Sequence, residues 1–359
     1  MRNKRIAWIL LIVLAVIIKV FSLFPEAVER YYANGIYPVL AGAQRILLGW
    51  LPFSVGDIFY AVVIIYLLYK LVQMIRKLIR RQTDKQYWLS ALRRFAFVIL
   101  LVYVCFNGLW GLNYNRQGIA QQLGLKVDKY TKDDLEVVIK QILVRLNELD
   151  TAARENRPQL ASKKYLFSGA GEAYRQLATE EKDLAYNFRS VKPSLFSYLG
   201  NYLGYTGYYN PFSGEAQVNT TVPLFIQPFT TCHEIGHQLG YAKENEANFA
   251  GYLSAKSSTD PAFRYSVYFD LYAYSRFYLF IQDSTLAKQF DKSLPEVVKA
   301  DFREMKEFSK RYRNPIEAVI DKLYGQYLKA NEQPSGKLAY NEVIAWLVAY
   351  YKKNGKEAI

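Results

Sequence analysis

The sequence predicts a mainly α protein: a three-helix transmembrane region followed by a mostly helical domain with a small β element. Three observations predict it. Long apolar runs are confined to the first third of the 359 residues, positive charge gathers around those runs, and the remainder alternates charged and apolar residues at helical spacing.

The first span is Ile6 to Phe24, 19 residues interrupted only by Lys19, and the third is Phe95 to Tyr114, 20 residues without a charge. Between them, Ile58 to Ile75 carries a single charge, Lys70, close enough to one end to reach the headgroups. Each run is long enough to cross about 30 Å of hydrocarbon as a helix. Soluble helices keep a polar face, and the third run has almost none. Met1-Arg-Asn-Lys-Arg resembles a signal-peptide n-region, but Phe21-Ser-Leu-Phe-Pro-Glu offers no small-x-small cleavage site. The first span is therefore expected to remain as an uncleaved anchor.

Orientation follows from the loops. Of the net charge of +14, residues 1–113 carry 14 Lys and Arg against 4 Asp and Glu, a net +10. The 76–94 connection holds Arg76, Lys77, Arg80, Arg81, Lys85, Arg93 and Arg94 against Asp84 alone, whereas 25–57 holds Arg30 and Arg45 against Glu26, Glu29 and Asp57. The positive-inside rule puts the N-terminus and the 76–94 loop in the cytoplasm of a multi-pass cell-membrane protein. With residues 1–114 as the membrane region, residues 115–359 then form an extracytoplasmic domain. Ile36 to Leu51, with Arg45 and Trp50, reads either as an interfacial helix on the outer side or as a loop helix packed on protein.

A basic chain raises nucleic acid as a partner. Here the excess flanks apolar runs and no helix-turn-helix, zinc-finger or RNA-binding signature accompanies it, so the lipid bilayer is the expected partner instead. Hydrophobic residues at 51% and aromatics at 16% exclude a disordered chain. Cys105 and Cys232 are too few for a disulfide framework or a cysteine metal cluster.

In the second region, Thr131 to Asp150 opens with a Thr cap and an acidic turn and then repeats apolar residues at helical spacing. Further helices are predicted at about 170–190, 263–290, 294–311, 314–330 and 338–353. Gly204 to Val222, rich in Tyr, Gly, Asn and Thr, reads as turns with a short strand near Ala216 to Thr220.

Thr231-Cys232-His233-Glu234-Ile235-Gly236-His237 contains H-E-x-x-H, and the chain's only two histidines are both in it. On a helix, residues four apart share a face, so His233 and His237 can offer two imidazole nitrogens to one Zn²⁺. Glu234 then stands beside the metal, placed to take a proton from a zinc-activated water and pass it to a leaving amine. The competing structural account is a capping box, Thr231-x-x-Glu234, which leaves both histidines unexplained. Cys232 points about 100° away around the helix and is expected to be packing.

A third protein ligand must be a carboxylate. Gly240 can turn the chain back after the motif helix, and a second helix is expected within Lys243 to Leu253. On it Glu244 and Asn248 share a face. Glu244 is the favoured ligand, with Asn248 supporting a histidine's other ring nitrogen. Glu246 is the competitor.

Four stretches, Leu51-Pro-Phe-Ser-Val-Gly-Asp57, Leu109-Trp-Gly-Leu-Asn-Tyr-Asn-Arg116, Gly207-Tyr-Tyr-Asn-Pro-Phe-Ser-Gly-Glu-Ala-Gln-Val-Asn219 and Cys232 to Leu253, together resemble an uncharacterised bacterial family of membrane proteins with three N-terminal spans and a zincin-like domain. The resemblance covers nearly the whole chain. More distantly, His233-Glu-Ile-Gly-His237 followed by Glu244-x-x-Ala247-Asn248 is similar to the gluzincin pattern, whose third ligand is a glutamate. The resemblance implies a zincin-like (α+β) metallopeptidase domain with His233, His237 and Glu244 as ligands and Glu234 as catalytic base. The seven-residue step from His237 to Glu244 is shorter than in most gluzincins and closer to metzincin spacing, whose third His would fall on Lys243.

Gly214 to Asn219 could be an edge strand that pairs with an extended peptide, or a hairpin that covers the core. Tyr205, Tyr208, Tyr209, Tyr265, Tyr268, Tyr272, Tyr274, Tyr278 and Arg276 are candidates for substrate or oxyanion contact among the 31 Tyr. The function expected is a membrane-anchored zinc metallopeptidase acting on a peptide or protein substrate. The alternative is a non-catalytic membrane sensor or envelope-assembly protein whose zinc is structural or only binds a peptide.

Overall fold

The computed structural model describes residues 2–331 and 339–359. Met1 and residue 338, the expected start of the last helix, lie outside the described residues. Apolar sequence free of Pro forms α4 (Val55–Ile79) and α5 (Lys85–Leu109), two helices long and apolar enough to cross a membrane. Before them, α1 (Arg2–Phe21) packs on α5, with Trp8 edge-on to Phe97 at 5.3 Å. The Ser22 hydroxyl then donates to the Lys19 carbonyl, and the chain bends by 103°. Beyond the bend come α2 (Pro25–Ala27), a π-helical stretch (Val28–Ile36) and α3 (Tyr37–Leu48). Counted as one bent crossing, α1 and this continuation make a third span.

The third apolar run was expected to stay helical to Tyr114, but α5 stops at Leu109 and Gly111–Asn115 form a buried 3₁₀ turn. Trp110, Leu112 and Tyr114 join Tyr32, Tyr37 and Tyr209 in a small core, so their apolarity serves protein contact instead of lipid. In α3, Tyr37, Ala41 and Arg45 are buried on protein while Val39, Leu47 and Trp50 stand outward. The buried face agrees with the reading of a helix packed on protein.

After α6 (Ile119–Gln122) comes α7 (Lys132–Asn156), opened by a reciprocal capping box between Thr131 and Asp134. The helix expected at 170–190 is α8 (Lys163–Leu177), because the buried stripe Leu166, Ala170, Tyr174, Leu177 ends where Thr179-Glu-Glu begins. Then follow β1 (Val191–Pro193), α9 (Ser197–Leu203), β2 (Gly207–Asn210) and β3 (Glu215–Val218). The sheet runs β1-β3-β2, with β1 parallel and β2 antiparallel to β3. The Gly214–Asn219 segment is therefore the central strand, not an edge. Both its sides are paired and all four β3 side chains are buried, so β1 and β2 are the edge strands.

The remaining helices are α10 (Gln227–Gln238), α11 (Glu244–Ser257), α12 (Pro261–Gln282), α13 (Ser284–Ser293), α14 (Glu296–Tyr312), α15 (Pro315–Ala330) and α16 (Ala339–Asn354). The expected 263–290 helix is broken at Asp283, whose carboxylate accepts the Leu286 N–H at 2.9 Å and caps α13. Leu135, Ile139, Phe249, Tyr252 and Phe263 fill the core among α7, α8, α10, α11 and α12.

Buried polar contacts fasten this globular part to the spans. The Glu215 carboxylate accepts the N–H groups of Val55 at 3.1 Å and Gly56 at 2.6 Å at the N-terminus of α4, where the helix dipole favours an anion. Asp57 accepts from the Leu195 N–H at 2.6 Å and from the Tyr208 hydroxyl. Lys192 donates to the carbonyls of Gly49 and Leu51, and Arg116 pairs with Glu29.

Candidate functional site

The histidine motif lies on α10, which starts well before it. The Thr231 hydroxyl donates to the Gln227 carbonyl at 2.7 Å inside the helix, so the capping-box use of Thr231 and Glu234 does not occur. His233 and His237 share one face, their ring centres 4.7 Å apart. Past Leu239, Gly240 adopts φ +88°. The Tyr241 N–H then reaches the Gly236 carbonyl at 3.2 Å and the Gly240 N–H reaches that of His237 at 3.0 Å, a Schellman turn. This turn brings the Tyr241 carbonyl to 2.8 Å from His237 Nδ1. With Nδ1–H donated there, the Nε2 lone pair is left for a metal.

The same turn explains how seven residues suffice between His237 and Glu244. It reverses the chain directly into α11, which lies close against α10. A side chain at Gly251 would meet the His233 backbone at 3.0 Å, and one at Gly236 would meet the Ala247 backbone at 3.1 Å. Glu244, in the first turn of α11, places Oε2 3.4 Å from His233 Nε2 and Oε1 3.7 Å from His237 Nε2. Glu246 turns away toward Gly118 and Arg116. Asn248 lies beside His233, though both His233 Nδ1 and Asn248 Nδ2 are buried without a hydrogen-bond partner among the described residues.

Glu234 is 3% exposed, and its Oε2 has no hydrogen-bond partner among the described residues. One of its carboxylate oxygens and the two imidazoles offer ligand atoms all within 4.8 Å of one another. Burial pushes the Glu234 carboxyl up to about 8. Burial acts the same way on Glu244, but the adjoining His233 and His237 outweigh it and hold that carboxyl down at about 2. Burial lowers His237 to about 4, which keeps its imidazole neutral. Burial would lower His233, but the Glu244 and Glu234 carboxylates outweigh it and push it up to about 9; once deprotonated, it joins His237 and the ionised Glu244 in a donor set that suits Zn²⁺. The edge strand β2 runs past this group, and a side chain at Gly207 would meet Glu234 Oε1 at 2.6 Å.

Cys232 is buried against the Ser254 hydroxyl at 3.7 Å, and burial pushes its thiol up to about 12, the behaviour of a packing residue. Most of the candidate tyrosines are engaged elsewhere: Tyr209 on Tyr37, Tyr265 on Asp301 at 2.5 Å, and Tyr272 with Arg276 on Asp291. The residues that reach the site had not been singled out. Tyr324 of α15 donates to Glu244 Oε1 at 2.6 Å. The hydroxyls of Tyr114 and Tyr327 lie 3.2 Å apart within electrostatic reach of Glu244. Asp270 of α12, pushed up to about 7 by burial, lies within electrostatic reach of His233. Trp110 stands edge-on to the His237 ring at 6.0 Å and donates from Nε1 to its carbonyl at 3.2 Å. Trp110 and Tyr114 carried a signal, the Leu109–Arg116 stretch, but it was absorbed into the last span.

No curated protein and no solved structure matches the chain. A family model described as "Protein of unknown function (DUF3810)" matches residues 32–348, which include the histidine helix, the β-sheet, both long apolar helices and the segments that fasten them together. The chain belongs to that family.

Proposed function

We propose that the protein is a membrane-anchored, zinc-dependent metallopeptidase with a zincin-like domain on the outer side of the cell membrane. His233, His237 and Glu244 hold the ion. A zinc ion held there supplies Lewis-acid polarisation of a peptide carbonyl and lowers the pKa of water. Glu234 takes a proton from the attacking water as its oxygen bonds to the carbonyl carbon, then delivers that proton to the amine nitrogen as the C–N bond breaks. His237 keeps its orientation through Tyr241, and Tyr324 steadies Glu244 from the opposite side.

The observation that carries this reading is Glu234: a buried carboxylate with one oxygen unpartnered among the described residues, close beside two histidines, at a site where the Glu244 carboxylate already lies within 3.4 Å and 3.7 Å of their Nε2 atoms as a third ligand. A structural zinc site has no use for it, and desolvating a carboxylate without compensation costs stability. The test uses the full-length protein in detergent. Glu234→Gln should retain one zinc per chain and lose cleavage of a peptide library that the wild type cuts. If wild type and Glu234→Gln bind zinc alike and neither cuts any peptide, the metal is structural or peptide-binding.

A further inference from the structure

The helix that touches Glu244 has an outer face that stands exposed among the described residues. Glu317, Tyr324 and Leu328 mark the inner side of α15: Glu317 lies by Gly204, Tyr324 donates to Glu244, and Leu328 is buried. At 100° per residue, Ile316, Val319 and Leu323 fall about a third of a turn away from that side. They are 60%, 57% and 56% exposed. Lys322 and Lys329 occupy the remaining side and are exposed. An apolar stripe of this kind, flanked by lysines and left bare, is the pattern of a helix lying in a membrane interface.

The position of α15 relative to the spans identifies what covers the stripe. α9, which packs against α15, is tied to the first turn of α4 through the Leu195 N–H on Asp57. The Tyr327 hydroxyl, toward the other end of α15, lies 3.2 Å from that of Tyr114, just past the end of α5. α15 is thereby tied to the near ends of both helices that are long and apolar enough to cross a membrane. Trp50, just past α3 and 76% exposed, stands five residues before the start of α4 in the chain. Tyrosines, a tryptophan and lysines near those ends match the headgroup region of a bilayer.

We infer that the outer face of α15 is seated in the lipid of the membrane that α4 and α5 cross, so that the Glu244 site opens at the bilayer surface. The lysines beside the stripe and the ties of α15 to the near ends of α4 and α5 favour lipid over a second copy or a soluble partner as its occupant. The inference concerns placement and stands whether or not the site hydrolyses peptides.

Nitroxide accessibility on the full-length protein in phospholipid vesicles tests it, in a Cys105→Ala background so that Cys232, which is buried, is the only other thiol. Labels at Val319→Cys and Leu323→Cys should favour oxygen over a water-soluble nickel chelate several-fold more than labels at Lys322→Cys and Lys329→Cys. Equal nickel access at all four positions would put the stripe in water and overturn the inference. Exclusion of both reagents at 319 and 323 would also overturn it, by placing protein there; dipolar broadening between labels would then identify a second copy. None of these readouts depends on zinc or on activity.

Discussion

The hydroxyl of Tyr37 donates to the carbonyl of Gln238 at 2.9 Å, joining residues 201 apart in sequence. Arg45 reaches the same carbonyl at 3.2 Å, and Trp110 reaches that of His237. The Gln238 carbonyl, at the end of the histidine helix, is thus satisfied by two side chains from the N-terminal third and would otherwise be a buried orphan, while the His237 carbonyl gains Trp110 beside the Gly240 N–H it already accepts.

A fragment starting at residue 115 should therefore fail to fold as the full chain does. It leaves the Gln238 carbonyl without its Tyr37 and Arg45 donors, removes Trp110 from that of His237, and bares Glu215 and the surface that holds Asp57. Limited proteolysis and thermal melting of 115–359 beside the intact protein would check this, and a cooperative melt matching the intact chain would refute it. Tyr37→Phe in the full chain should cost about 1 kcal/mol.

Zinc content should separate the two glutamates. His233→Ala, His237→Ala and Glu244→Ala are expected to purify without zinc, whereas Glu246→Ala and Cys232→Ser keep it. Elemental analysis decides the matter, and zinc lost from Glu246→Ala but kept by Glu244→Ala would reverse the assignment.

Gly240→Ala forces a Cβ into a left-handed residue at φ +88° and against the Tyr37 ring. The expected cost is about 1–2 kcal/mol. Because the turn also aims the Tyr241 carbonyl at His237, zinc affinity should fall roughly 10- to 100-fold. A competition titration with a chelator reads the affinity separately from the melt.

Gly251→Val should push α11 off α10, since its Cβ alone meets the His233 backbone at 3.0 Å. Overpacking of this kind costs about 1–3 kcal/mol. Zinc should weaken with it, while the same change at Gly325, which has nothing within 4 Å, should leave zinc binding unchanged.

Asp134 links α7 to α16 through Tyr351 and Lys352. Burial alone would raise its carboxyl, but the Lys352 ammonium and the Thr131 and Tyr351 donors hold it well below the usual carboxylate range. A carboxyl lowered by folding adds stability above its unfolded pKa of about 3.9 and loses it as pH falls below that. Asp134→Asn should therefore lower the melting temperature at pH 7 and converge on wild type as the pH drops below about 4. Parallel curves at all pH values would refute the linkage.

The histidine helix, the turn at Gly240, the Glu244 face and the Thr131 cap were legible because each depends on residues within a few positions of one another. The fate of Trp110 to Tyr114 was not, because an apolar residue reads the same whether lipid or protein will cover it. The centrality of β3 was hidden for a similar reason: β1 lies in a three-residue stretch with no alternation to reveal it. Tyr324 reaches Glu244 across 80 residues, and no local pattern encodes that.

The Glu215 clasp on α4 has a mechanical consequence. Glu215 is on β3, β3 is bonded to β2, and β2 carries Gly207 against Glu234. Two strands are all that separates the end of a helix long and apolar enough to cross a membrane from the buried carboxylate. A force that tilts α4, such as a change in bilayer thickness or lateral tension, acts on the wall of the site without passing through a flexible linker.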